Sequence, residues 1–176
     1  MVTTQDFVLT AIGADRPGLV EALAAVIAAE GGSWQESSMA HLSGKFVGLV
    51  RVSVPAARAA SLQAALEAFT PLRLVVEPAA PTAAAAPAVL GFSLELVGHD
   101  RIGIVREVSQ VLAQHAVNVE SLETFTSQAP MSGEQLFHAQ AHLRAAATLD
   151  VAALQAALES LSNELQVDIV FDHTGA

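Results

Sequence analysis

The chain has 176 residues, 52% of them hydrophobic and 15% charged, which supplies a core and excludes a disordered chain. Eight Lys and Arg against 18 Asp and Glu leave a net charge of −10, so phosphate backbones and anionic membrane surfaces repel it and direct nucleic-acid binding is not expected. No cysteine is present, which excludes disulfides, thiol nucleophiles and cysteine-based zinc sites.

The start, Met1-Val2-Thr3-Thr4-Gln5-Asp6, has neither the basic region nor the apolar run of a signal peptide. No apolar stretch of about 20 residues is free of Pro, Gly and charge, so no membrane span or membrane contact is expected. The expected location is the cytoplasm. Residues 7–13 then read as a short, β-rich apolar strand. Asp15-Arg16-Pro17 reads as a helix start, with Asp as a cap and Pro suited to the first turn. Leu19, Leu23, Val26 and Ile27 follow with helical spacing and form one buried face. Gly31-Gly32 stops that helix. Strands at about 34–42 and 46–54 flank a Ser43-Gly44 turn and form a hairpin. An alanine-rich helix spans about 58–69, and a last strand about 72–77.

The same order then recurs. FVLTAIGADRPGLV at 7–20 returns 85 residues later as FSLELVGHDRIGIV, with 7 of 14 positions identical. Ile104, Val108, Val111 and Leu112 repeat the buried helical face. LQAAL at 62–66 returns at 154–158, an offset of 92. About seven extra residues therefore lie between these anchors in the second copy, placed by their turn-forming character at 127–133. Three prolines between residues 78 and 89 break any helix and read as an extended linker. Each copy is a β-α-β-β-α-β unit. The fold class is α+β: two ferredoxin-like units in tandem, at 1–78 and 90–176, joined by an Ala/Pro linker at 79–89. Each sheet has helices on one face only, and Leu136, His138, Gln140, His142 and Arg144 line the uncovered face of the second. Units of about 75 residues are marginal alone, so pairing of the two copies or homo-oligomerisation is expected.

The repeated loop G-x-D-R-x-G is the candidate site: Gly13, Asp15, Arg16 and Gly18, then Gly98, Asp100, Arg101 and Gly103. Its glycines let backbone approach a ligand, and a helix N-terminus offers N–H groups to a carboxylate. Asp15 or Asp100 suits an ammonium group, so together they fit a free amino acid. The plainer alternative makes Asp a cap, Arg a surface charge and Gly a turn residue. Ile102 stands where the first loop has Pro17. His138 and His142 lie about 13 Å apart along a strand, too far to share a metal ion. His99 reads as a solvated loop residue and Trp34 as core or interface packing. No Walker loop, dinucleotide fingerprint or nucleophile–base–acid set is present. No catalysis, cofactor or metal is expected.

Gly-Ala-Asp-Arg-Pro-Gly-Leu-Val at 13–20, following an apolar strand, resembles the opening of an ACT domain. Ala129-Pro130-Met131-Ser132-Gly133, then Leu136-Phe137-His138, and the ending Leu165-Gln166-Val167-Asp168-Ile169-Val170 resemble the second ACT repeat of the glycine cleavage system transcriptional repressor family. The resemblance implies a regulatory module that senses a small amino acid, glycine by the family's name. It implies ligand contacts between two domains, from Asp15, Arg16, Pro17 and Gly18 with Ser33, and from Asp100, Arg101, Ile102 and Gly103 with Asn118. Asn118 is the residue type this family often carries at that strand start, and Ser33 departs from it. The implied route to gene expression is a transcription-factor protein partner rather than direct contact with DNA. The alternative is a protein-interaction module whose amino-acid sites are degenerate.

Overall fold

The computed structural model describes residues 3–79, 89–130 and 133–173. The chain divides into two compact units, Met1–Thr82 and Ala83–Ala176. Most of the expected linker lies outside the described residues, while Val89, expected at its end, is the first residue of a strand.

In the first unit β1 (Thr4–Ala14) leads to α1 (Leu19–Ala29), then β2 (Ser33–Leu42) and β3 (Lys45–Pro55). A single 3-10 turn precedes α2 (Ala59–Glu67), and β4 (Arg73–Pro78) ends the unit. The antiparallel sheet has the order β2-β3-β1-β4. Strand alternation makes this a one-sided layer: Phe7, Leu9 and Ala11 are buried, while Thr10 and Ile12 point away. Leu19, Leu23 and Ile27 recur every four residues along α1 and bury the matching stripe. Val50, Val52, Leu62 and Leu66 complete the core. Each such side chain contributes about 1.5–3 kcal/mol by leaving water.

The second unit repeats this with β5 (Val89–His99), α3 (Ile104–Gln114), β6 (Asn118–Gln128), β7 (Gln135–Ala146), α4 (Val151–Leu165) and β8 (Val167–His173). Its sheet order is β6-β7-β5-β8. Phe92, Leu94, Leu96, Val108, Leu112, Leu143, Leu154 and Leu158 form its core. The expected α+β class and tandem ferredoxin-like units are therefore present. The two hairpins differ. Ser43 and Gly44, both at positive φ (50° and 75°), close the first in two residues, as a tight hairpin requires. The second has a longer connection between Gln128 and Gln135, where the extra residues of this copy were expected.

One expectation fails at the helix starts. Asp15 does not cap α1. The helix begins at Leu19, its N-cap is Gly18 at φ 89°, and no side chain caps it. α3 begins the same way behind Gly103 at φ 95°. A left-handed turn at that glycine carries the chain from strand into helix and moves the aspartate away from the first helical N–H groups. Among the described residues the side-chain cap is instead Asp150, whose Oδ1 accepts the Ala153 N–H at 3.0 Å at the head of α4. Asp150→Ala is expected to lower stability by about 0.5–2 kcal/mol, read as a shift in the urea midpoint with an unchanged slope.

Candidate functional site

The two G-x-D-R-x-G loops occupy equivalent places, between β1 and α1 and between β5 and α3. Their first and last glycines have different roles. Gly98 is buried in β5, and a Cβ there meets Val167 Cβ at 2.7 Å and Val167 Cα at 3.2 Å. Gly13 likewise faces Leu72 and the Pro71 carbonyl. Gly98 admits the chain's own final strand and Gly13 the residues that lead into β4, rather than a ligand, which corrects the reading that all four open the backbone to one. Gly18 and Gly103 make the left-handed turn. Beyond Gly103 the first helical bond is Glu107 N–H to the Gly103 carbonyl, at 3.0 Å. The N–H groups of Ile104, Val105 and Arg106 precede it and have no intrahelical acceptor.

Each loop is tied down by its own hairpin. Asp15 N–H donates to the Gly44 carbonyl at 3.1 Å, and Asp100 N–H to the Gln135 carbonyl at 2.9 Å. This leaves both aspartate side chains at the surface. Asp15 Oδ2 lies 3.8 Å from His41 Nε2, and His99 Nδ1 lies 3.8 Å from Glu134 Oε2. Arg101 forms an ion pair with Glu107 in the first turn of α3. In the first unit the corresponding residues are Arg16 and Ala22, so that pair has no counterpart, and Glu21 stands in the first turn instead. Arg16, Pro17 and Gly18 rim an open surface depression. Ile102, in place of Pro17, is fully exposed. The contacts of His41, Gln135 and Glu107 were missed from sequence. Only Glu107 left a signal, as an acidic residue one helical turn into α3.

Ser33 and Asn118 do not meet these loops within their own units. Ser33 pairs with Ser53, which pairs with Asp6. Asn118 pairs with Arg144, which pairs with Gly91. Eight residues of strand, about 26 Å, separate each of these rows from the loop end. Ser33 Oγ is taken by Gln35 Nε2 at 2.8 Å. The strands that begin at these residues, β2 and β6, are sheet edges. β6 is exposed along nearly its whole length. Between β6 and α3 lies a shallow apolar groove, lined in part by Val105, Val108, Val119 and Leu122.

His138 is engaged within its own sheet. It stacks on Phe125 with ring centres 4.5 Å apart, and its Nε2 lies 2.8 Å from Ser127 Oγ. Among the described residues no cluster of three His, Asp or Glu could hold a metal ion. No helix of the described residues is long and apolar enough to cross a membrane. Trp34 packs, half-buried, against the core of the first unit.

Comparison with known proteins agrees with this architecture. ACT-domain profiles match residues 5–71 and, separately, residues 92–161. A crystal structure of a protein of unknown function from Galdieria sulphuraria is 30% identical, with a TM-score of 0.87, covering 98% of this chain and 99% of that one. A proposed glycine cleavage system transcriptional repressor is 20% identical, with a TM-score of 0.67 and the same coverage. At that identity the second likeness is one of fold. No curated protein matches the chain significantly.

Proposed function

The chain belongs to the ACT-domain family, with two ACT domains in tandem, and from that premise we propose that it is a non-catalytic regulator that senses a small amino acid. The observation that carries this reading is the pair of equivalent loops. Each presents an exposed aspartate on the same strand-to-helix loop that leads into helix N–H groups lacking intrahelical acceptors. Those groups suit the carboxylate of a free amino acid, and the aspartate suits its ammonium group.

The second unit is the better site. Arg101 neutralises Glu107, so the first turn of α3 does not repel a carboxylate. Asn118 offers an amide oxygen, whereas Ser33 is engaged by Gln35. Asn118 reaches a loop only across an interface. Antiparallel pairing of β6 with β6 of a second copy of the chain sets the start of one strand against the end of the other. Gln128 at that end is paired with Gln135, whose carbonyl holds Asp100. Such pairing also covers the apolar groove beside α3. Glycine is the favoured ligand, because the second-repeat motifs resemble the glycine cleavage repressor family and a protein proposed to act in that system shares the fold. Hydrogen exchange tests this. Millimolar glycine is expected to slow exchange at Ile104, Val105 and Arg106, and unchanged exchange there with glycine, serine and alanine alike refutes the reading.

Control of amino-acid metabolism then runs through a protein partner, a transcription factor, rather than through direct contact with DNA. The net charge of −10 supports this. In a fluorescence-anisotropy titration at physiological salt, the isolated protein is expected to leave duplex DNA unbound up to tens of micromolar. Micromolar, salt-sensitive binding contradicts this route.

A further inference from the structure

The two units provide a comparison within one chain, because they share a fold and a strand register. On the face turned away from the helices, their equivalent positions differ in chemistry. Thr10 pairs with Leu49 on one side and Val75 on the other, and Ile12 pairs with Val47. The matching positions of the second unit are Glu95 with Gln140 and Val170, and Val97 with His138. Leu49 and Val75 are about half exposed, at 52% and 48%. The second unit shows that this fold does not require apolar residues at Leu49 and Val47.

We propose that this open sheet face of the first unit is a self-association surface, which packs against the same face of a second copy of the chain. Charge selects that occupant. Residues 1–79 carry 5 Lys and Arg against 7 Asp and Glu, whereas the rest of the chain carries 3 against 11. Two first units therefore meet with little repulsion, and two second units do not. The face is also self-complementary. On β4, Arg73 and Glu77 flank Val75 on the open side. A two-fold axis running across the strands through the Thr10 row sets Arg73 of one copy over Glu77 of the other. Three strands of ten or eleven residues and a fourth of six, about 4.8 Å apart, give roughly 600 Å² a side. That is of the order of the ~800 Å² a side of a standard interface.

This surface is distinct from the edge strands invoked above, so its test must not read total association alone. The chain has no cysteine, which permits a single-site probe. Thr10→Cys, at the centre of the face, is treated with a short bismaleimide at micromolar concentration, in the full chain. Glu95→Cys, at the equivalent place in the second unit, serves as the control. A covalent dimer is expected from Thr10→Cys and not from Glu95→Cys. Adding Leu49→Gln, which copies the residue the second unit folds with, is expected to reduce the yield at least tenfold. Circular dichroism confirms that the variants are folded. No dimer from Thr10→Cys, an equal yield from Glu95→Cys, or a yield indifferent to Leu49→Gln overturns the proposal.

Discussion

Replacing Gly98 with alanine is expected to destabilise the protein by about 1–3 kcal/mol, the usual effect of overfilling a packed site. The new methyl group falls within 2.7 Å of Val167 Cβ and 3.2 Å of Val167 Cα. The second of these neighbours is backbone, so relief requires β8 to shift against β5. Gly98 pairs with Val167 in the sheet, and the shift therefore strains that pairing as well. The variant separates two roles for the glycine. If it admits the final strand, urea unfolding moves to lower denaturant while a saturating amino acid still raises the melting midpoint by the wild-type amount. If it instead admits a ligand, stability holds and the ligand's effect disappears.

The second large effect is ligand linkage. An amino acid present at 100 times its dissociation constant stabilises the folded state by about 2.7 kcal/mol. For a chain of this length that is a rise of roughly 5–11 °C in midpoint. Asp100→Ala is expected to abolish most of that rise. Asp100 does not cap α3, whose N-cap is Gly103, so the unliganded stability is expected to change by about 0.5 kcal/mol or less, as for other surface substitutions. The equivalent Asp15→Ala is expected to leave the ligand's effect largely intact. A loss of the rise in Asp15→Ala rather than Asp100→Ala assigns the ligand to the first unit.

Much of the fold was legible because its signals are local. The alternation of Phe7, Leu9 and Ala11 with Thr10 and Ile12 is visible along the chain, and so is the four-residue rhythm of Leu19, Leu23 and Ile27. The repeat doubled each signal. The site was legible in composition but not in geometry. Gly98 is recognisable as a glycine, but what it accommodates is Val167, 69 residues further on. Asp15 was expected to cap because Asp before an apolar helical run usually does. The left-handed turn at Gly18 decided otherwise, and it depends on how strand and helix pack. The separation of Ser33 from Asp15 follows from strand direction: α1 carries the chain back down the sheet before β2 begins. A list of motif residues does not contain that direction.

On the function proposed here, a small amino acid binds at the loop between β5 and α3. Isothermal titration of glycine, and in parallel of serine and alanine, into the full chain tests it most directly, with Asp100→Ala as the second arm. A saturating heat is expected with at least one of the three, with affinity reduced at least tenfold by Asp100→Ala. The absence of saturable heat with all three at millimolar concentration contradicts it and leaves a protein-interaction module in its place.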